Sequence, residues 1–167
     1  MTSADELGSP VSPAIRAAEA SGVPHRVVVT PPAGSAEESA ELQGIALGAL
    51  LRTIVVRRGE DDFVFVLVPA GRRFDWPLLR THLGVKRLSL PDADEALAVT
   101  GYVRYAITPF GSLRPWPVIL DAAAMGHALL SVGGGIRGTN LHFTPDHLVR
   151  ALDAEVAEVS SLDDGTP

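Results

Sequence analysis

The chain has 167 residues, of which 46% are hydrophobic and 20% charged, with a formal net charge of −6 and no cysteine. These values predict one globular domain and exclude disulfides, thiolate metal ligands and cysteine nucleophiles. No apolar run approaches the ~18 residues of a membrane-spanning helix, and no secretory signal is visible, so we expect a cytoplasmic protein without a membrane partner.

Helix caps and short apolar runs divide the chain into short helices and strands. Serine, threonine or aspartate precedes most predicted helices, and glycine follows several of them. The predicted strands are rich in β-branched residues, and an acidic turn at residues 59–62 predicts a hairpin. In chain order the elements are a helix from Pro13 to Gly22, a strand over 23–29, a helix from Ser35 to Leu47, strands over 51–57 and 63–68, a helix from Asp75 to Gly84, a strand over 86–90, a helix from Pro91 to Gly101, strands over 118–121, 128–132 and 139–143, a helix from Thr144 to Leu152 and a strand over 156–159.

Helices and strands are interspersed, and hairpin-like spacings dominate the middle of the chain. We therefore predict an α+β fold with a mixed, largely antiparallel sheet flanked by helices. Because no repeat or linker divides the chain, residues 12–159 are assigned to a single domain. The polar ends, residues 1–11 and 160–167, are expected to be flexible.

Basic residues are concentrated between residues 52 and 87. This segment contains eight basic and four acidic residues, although the protein as a whole is acidic. If they share one face, they form a surface for phosphate groups. The alternative is a set of solvated strand ends and turns. The overall negative charge argues against DNA as a partner. The basic residues are Arg52, Arg57, Arg58, Arg72, Arg73, Arg80, Lys86 and Arg87.

Two glycine-bearing loops, residues 100–111 and 131–138, lie beside strand-like runs. Residues 133–138 satisfy the G-x-G-x-x-G pattern of dinucleotide-binding folds, but a strand rather than a helix is predicted to follow them. This context favours a tight turn between strands, in which glycines permit a close approach of a ligand. The five histidines lack the spacing of a zinc site. We therefore expect no cofactor and no metal.

Several segments, in this order, resemble the YbaK/EbsC family, the free-standing relatives of the editing (INS) domain of prolyl-tRNA synthetase. The resemblance covers about residues 12–159 and implies a barrel-like sheet. Its most specific element combines Thr100-Gly101-Tyr102 with Pro109-Phe110-Gly111. The other segments are Ser12–Ile15, Leu51–Val56, Pro69–Asp75, Leu83–Arg87, Val118–Asp121 and Gly134–Gly138.

The resemblance implies trans-editing, the hydrolysis of the ester that joins a small amino acid to the end of a mischarged tRNA. Such a site needs little beyond placement of the substrate and donors aimed at its carbonyl. The residues it implies as catalytic are Arg52, Thr108, Pro109, Phe110 and Gly111. Those implied for substrate binding are Tyr105, Gly133, Gly134, Gly135 and Asn140, and those for the tRNA acceptor end are Arg57, Arg58, Arg72 and Arg73.

Four positions depart from the family pattern where this chemistry is expected. Arg52 stands where the family has lysine, Tyr105 stands where it has glycine, and Asn140 stands where it has aspartate. Gly133 occupies a position where some members have serine. Two hypotheses follow: a deacylase with an altered pocket, or a binding module that has lost hydrolysis and holds a tRNA end, a nucleotide or a protein. An open pocket containing Arg52 and the Pro109 loop favours the enzyme, whereas a pocket filled by Tyr105 favours the binding module. The oligomeric state stays open.

Overall fold

A computed structural model describes residues 11–162, which form five α-helices and nine β-strands. The helices are α1 (Pro13–Ala20), α2 (Ala36–Gln43), α3 (Trp76–Leu83), α4 (Ala93–Thr100) and α5 (Pro145–Leu152). The strands are β1 (Arg26–Val29), β2 (Leu51–Gly59), β3 (Asp62–Pro69), β4 (Arg72–Phe74), β5 (Val118–Asp121), β6 (Leu130–Gly133), β7 (Thr139–Phe143), β8 (Glu155–Ala157) and β9 (Ser160–Leu162). Short 3₁₀ turns cover Leu47–Ala49, Arg104–Ala106 and Ala122–Gly126.

The helices begin where the capping residues predict. The side chains of Ser12, Ser35, Asp75 and Thr144 each accept a hydrogen bond from the amide three residues later, which satisfies an otherwise unpaired donor. Helix α2 is shorter than predicted, because Gly44 adopts a left-handed conformation with φ of 71° and ends it.

The strand predictions are confirmed for the β2–β3 hairpin and for β5, β6 and β7. Residues 86–90 do not form the predicted strand, since only an isolated bridge joins Ser89 to Arg57. Strand β4 was not predicted, and it pairs with β9 at residues assigned from sequence to the tail. The rest of that tail, residues 163–167, and residues 1–10 of the N-terminal segment lie outside the described residues.

Within residues 11–162 the strands form three sheets, with orders β1-β7-β6, β2-β3-β5-β8 and β4-β9. The pairings β3–β5 and β5–β8 are parallel and the other four are antiparallel, as a mixed, largely antiparallel fold requires. The expected barrel-like sheet does not close. A single parallel bridge from Leu50 to Ser131 joins the first two sheets, and β1 and β8 are outer strands.

Strand β3 is buried on both faces, which explains its uninterrupted apolar sequence. Phe63, Phe65 and Leu67 belong to one core cluster together with residues of α1 and α5. The intervening valines belong to a second cluster that includes Leu79 of α3. None of the helices within residues 11–162 is both long enough and apolar enough to cross a membrane.

A buried carboxylate ties the C-terminal strands to β4. Asp121, 1% exposed, accepts hydrogen bonds from the amide of Val159, at 3.1 Å, and from the hydroxyl of Ser160. The guanidinium of Arg72 donates to the Ser160 hydroxyl at 2.6 Å and lies 3.7 Å from the carboxylate. The charge of Asp121 is therefore compensated by donors from two strands.

We predict that Asp121→Asn lowers the free energy of unfolding by about 1.5–3 kcal/mol, the usual contribution of a hydrogen bond to a charged group. The amide is isosteric, but it carries no charge, and one of its oxygens is replaced by a donor. Urea denaturation at neutral pH measures the change. Asp146→Asn is the matched control. Asp146 is exposed in the first turn of α5, so its replacement removes only the attraction between its negative charge and the helix N-terminus, which is worth up to ~1 kcal/mol. Equal changes in the two variants would contradict the assignment.

Candidate functional site

A cavity of about 480 Å³ lies between the loop that follows β6, the 3₁₀ turn at Arg104–Ala106 and the N-terminal half of α2. The polar side chains in its wall come from four separate parts of the chain, so the cavity exists only in the folded protein. Its lining residues are Thr30, Ala33, Ser35, Ser39, Tyr105, Ala106, Ile107, Gly133, Gly134, Gly135, Ile136, Arg137, Gly138, Thr139 and Asn140. All five residues predicted to bind substrate line this cavity.

Tyr105 lies at the edge of the cavity and does not fill it. Its side chain belongs to the 3₁₀ turn and is 78% exposed. The neighbouring lining residues Ala106 and Ile107 are partly buried. Tyr105 therefore adds an aromatic surface at the mouth of the cavity.

The three adjacent glycines of the second loop have different structural roles. A Cβ on Gly134 would lie 2.8 Å from the Thr139 side chain and 2.9 Å from its carbonyl oxygen, and one on Gly135 would lie 2.9 Å from Tyr102. On Gly133 the nearest atom, the carbonyl oxygen of Ile107, would be 3.8 Å away. Gly134 and Gly135 are thus required by contacts within the protein, and only Gly133 leaves space on the cavity side.

Arg52 does not line the cavity. Its guanidinium donates a hydrogen bond of 2.7 Å to the carbonyl of Arg72. Because side chains alternate along a strand, Arg52 lies on the face of β2 that carries Ile54 and Val56 and packs on the second core cluster. Its backbone is nevertheless near the second loop, since an isolated parallel bridge joins Leu50 to Ser131, which lie two residues before Arg52 and Gly133.

The residues Pro109, Phe110 and Gly111 border a different surface groove, between α1 and the residues that follow α5. Phe110 is 3% exposed and stacks on Phe143 with ring centroids 5.2 Å apart. Thr108 is fully buried, and its Cβ is 3.9 Å from the position of a Cβ on Gly133. Of the four predicted catalytic residues in this loop, only Thr108 therefore approaches the cavity, and it is not itself a lining residue.

The basic residues separate into two groups. Arg57 and Arg58 line a second groove with Gly59, Glu60, Arg80, Lys86, Arg87, Leu88 and Ser89, which we call the basic groove. Arg72 is instead directed into the Asp121 cluster, and Arg73 is exposed on β4. The predicted tRNA-binding residues therefore do not form a single surface.

Comparison with known proteins adds the family. The family model for the aminoacyl-tRNA editing domain matches residues 30–151. The chain belongs to this family. Every residue of the cavity lies within the matched range.

Individual relatives agree with this assignment. EbsC of Enterococcus faecalis, provisionally named a Cys-tRNA(Pro)/Cys-tRNA(Cys) deacylase, is 26% identical over 127 residues, which cover 76% of this chain and 77% of that protein. The Ser/Thr-tRNA deacylase ProXp-y of Escherichia coli is 33% identical over 92 residues, 53% of this chain and 55% of that protein. The structure of a provisionally named trans-editing enzyme for prolyl tRNA synthetase superposes with a TM-score of 0.83 at 26% identity, covering 92% of this chain and 99% of that one.

A partly buried polar cluster supports the α2 side of the cavity of this editing domain, and sequence analysis missed it. The Gln43 side-chain oxygen accepts from Ser131 at 2.5 Å and pairs with the ring Nε2 of His142 at 2.8 Å, while the Gln43 amide donates to Ser39 at 2.9 Å. Ala40 is the only buried residue described within α2, and these bonds fasten the end of the helix to β6 and β7. The pairing of Ser131 with His142 across β6 and β7 places two of these partners side by side.

Other lining residues were also missed, notably Thr30, Ala33 and Arg137. They come from the β1–α2 connection and from the tip of the second loop. The guanidinium of Arg137 reaches the carbonyl of Ala33 at 3.4 Å. No local motif marks such residues, because only the pairing of β1 with β7 brings the two segments together.

We predict that Gly134→Ala lowers the free energy of unfolding by about 1–3 kcal/mol, the usual cost of overpacking. Gly133→Ala, the matched variant one residue away, is expected to change it by less than ~1 kcal/mol, because its new methyl meets only ordinary contacts. Urea unfolding of the two proteins measures the difference. A larger effect at Gly133 than at Gly134 would contradict the packing argument.

The pKa of His142 is lowered by burial, which disfavours the charged ring, and by the positive charge of Arg26 on the neighbouring strand. An unfolded histidine has a pKa near 6.5, so protonation below that value favours the unfolded chain. We therefore predict that the contribution of neutral His142 to stability is present above about pH 6.5 and is lost as the pH falls below it.

Urea unfolding of the wild type and of His142→Gln between pH 5 and 7.5 measures this contribution. The other four histidines are common to both proteins, so the difference between the two curves isolates His142. The stability difference should shrink as the pH falls. A difference that is constant across this range would contradict the prediction.

Proposed function

We propose that this editing-domain protein is an aminoacyl-tRNA deacylase that acts in trans, in the cytoplasm, on tRNA mischarged with a small amino acid. The observation that carries the proposal is the open cavity between the two glycine loops, with Tyr105 at its edge. A volume of about 480 Å³ lies within the usual range of small-ligand sites. It offers room for an aminoacyl group together with the terminal ribose.

We assign the donors for the ester carbonyl to two backbone amides of residues that line the cavity. Within the described part of the chain, the amides of Ile107 and Gly135 have no hydrogen-bond partner, and both residues line the cavity. Such donors stabilise the negative charge that develops on the carbonyl oxygen as water attacks. The carbon–oxygen bond to the ribose then breaks, the ribose oxygen takes up a proton, and a free amino acid and an uncharged tRNA end result.

The residues Thr108, Pro109, Phe110 and Gly111 serve this mechanism through the position of the loop. Phe110 is anchored by stacking on Phe143, and its carbonyl accepts a 2.6 Å hydrogen bond from the hydroxyl of Tyr102. Burial raises the pKa of Tyr102 to about 12, so the hydroxyl keeps its proton at neutral pH. The segment that presents the Ile107 amide is thereby fixed.

Arg52 is the proposed cation of the site. Its side chain is exposed, and one hydrogen bond to a backbone carbonyl holds it outside the cavity. The bridge from Leu50 to Ser131 brings this part of β2 near the second loop, and the proposal requires the Arg52 side chain to rotate toward the substrate. There it would neutralise charge on the carbonyl oxygen or on the terminal phosphate.

Residues in the wall and at the mouth of the cavity are proposed to contact the substrate. Asn140 retains an acceptor in the cavity wall, and the exposed ring of Tyr105 offers a surface on which the terminal base can stack. The relatives named for Cys-tRNA and for Ser/Thr-tRNA deacylation support a small amino acid.

One observation favours the second candidate, a binding module without hydrolysis. In this structure the Arg52 guanidinium and the Pro109–Gly111 segment both lie away from the cavity. A protein with this arrangement can hold a tRNA end without assembling a cationic site around the ester.

The deciding measurement is deacylation of tRNAs charged with alanine, proline, cysteine and serine. We predict hydrolysis of at least one of them by the wild type, a fall of tenfold or more in kcat for Arg52→Ala, and partial recovery for Arg52→Lys. The reason is that lysine keeps the positive charge, whereas alanine removes it.

Arg16→Ala is the control, because Arg16 is exposed on α1 and lines none of the described cavities. Wild-type hydrolysis that is unchanged in Arg52→Ala would remove Arg52 from the mechanism and leave the backbone donors. Folded protein that binds these tRNAs and hydrolyses none of them would establish the binding module instead.

A further inference from the structure

We propose that the basic groove is a second tRNA contact, which binds backbone phosphates of the acceptor stem while the cavity holds the aminoacyl end. This inference rests on the proposed function for the identity of the nucleic acid. It adds Arg80, Lys86 and Arg87 to the two groove arginines already expected to bind tRNA.

The groove has an excess of positive charge. Five of its lining residues are basic and one, Glu60, is acidic. Arg57 pairs with Glu95 and Arg58 with Asp62, each at 3.0 Å. Counting these two partners as well, positive charges outnumber negative ones by five to three.

The charges most available to a ligand are those of Arg80, Lys86 and Arg87. Within residues 11–162 none of the three forms an ion pair or a side-chain hydrogen bond. Lys86 and Arg87 are exposed, and Arg80 is partly buried at the C-terminal half of α3. Phosphate groups would meet these cations without first breaking an existing pair.

The remaining two arginines hold the groove in shape. Arg57 and Ser89 exchange backbone hydrogen bonds of 2.7 and 3.1 Å, and the Arg57 guanidinium donates to the Ser89 hydroxyl at 3.0 Å. Arg58 binds the Asp62 carboxylate through two nitrogens across the hairpin turn. The segment that carries Lys86 and Arg87 is therefore fastened to β2 before any ligand arrives.

The groove lies farther along β2 than the cavity does. The parallel bridge from Leu50 to Ser131 aligns β2 with β6, so Gly133 is two residues beyond the bridge and Arg57 is seven. At ~3.3 Å per residue the offset along the strand is roughly 16 Å. A duplex with a phosphate every few ångströms on each strand spans this offset within a few base pairs.

The chemistry of the groove favours backbone phosphates over bases. Within the described residues its unpaired cations lie on side chains without a fixed partner, and phosphate and sugar oxygens receive half or more of the hydrogen bonds that proteins make to nucleic acids. In a protein with a net charge of −6, a local excess of cations also directs an RNA to one part of the surface. Binding through this groove is therefore expected to be independent of tRNA sequence.

The test is binding of deacylated tRNA as a function of salt, using a double variant, Lys86→Gln with Arg87→Gln. Loss of two phosphate contacts should lower the slope of log K against log salt by roughly 1.5–2. The ratio of wild-type to variant affinity should consequently fall roughly tenfold between 50 and 200 mM salt. The effect should be the same for different tRNAs.

The matched control is the double variant Arg16→Gln with Arg150→Gln, which removes the same charge from exposed positions on α1 and α5. Its salt slope should stay within about 0.5 of the wild-type slope. Equal changes in the two double variants would overturn the proposal, since they would mean a general effect of net charge. An unchanged slope in the groove variant would overturn it as well and would point to an acidic protein segment as the occupant.

Measurements of hydrolysis distinguish a failure of the groove proposal from a failure of the proposed deacylase function. On charged tRNA the groove variant should raise KM with kcat preserved, and on an aminoacylated CCA trinucleotide, which has no stem, it should match the wild type. A wild type that hydrolyses neither substrate but keeps the salt slope of tRNA binding would refute the deacylase and leave the groove standing. A groove variant impaired equally on the trinucleotide would refute the stem contact.

Discussion

The N-terminus of α1 is the contact on which both glycine loops depend. The Ser12 hydroxyl accepts the amide of Ile15 and donates to the carbonyl of Gly134 at 2.6 Å, so one side chain caps the helix and fixes the second loop. The first loop meets the same helix end, since a Cβ on Gly111 would lie 2.4 Å from the backbone of Pro13. A helix at the start of the domain thus holds together two loops that are far apart in sequence.

The parts of the fold that the sequence could predict are those that depend on neighbouring residues, and the parts it could not predict depend on contacts between distant segments. Helix starts at Ser12, Ser35 and Asp75 depend on hydrogen bonds within three residues, so local patterns identify them. The β4–β9 pairing joins Arg72 to Leu162, and nothing local in three polar or mixed residues indicates such a partner. Residues 86–90 show the reverse case, because their strand-like pattern finds only a single bridge to β2.

The predictions for the candidate site show the same difference between positions that the sequence could place and positions that it could not. The five residues expected to contact substrate are brought together because the second loop and the 3₁₀ turn around Tyr105 face one cavity. Arg52 could not be placed from sequence, because strand alternation fixes the face of its Cβ but not the direction of a long side chain. In the folded chain the Arg52 guanidinium donates a hydrogen bond to the backbone carbonyl of Arg72. The side chain of Arg72 is in turn held by the distant Asp121.

The most specific motif residues identify the fold more than the chemistry. Gly111, Gly134 and Gly135 are required because backbone or side chains of this protein occupy the space where a Cβ would stand. A chain that had lost hydrolysis would therefore still need them. The proposed chemistry depends instead on positions with free space or an exposed side chain, namely Gly133, Tyr105 and Arg52. All three are among the positions where the resemblance marks a departure, whereas the packing glycines are not. We therefore expect any change of chemistry to arise at the pocket positions and not in the scaffold.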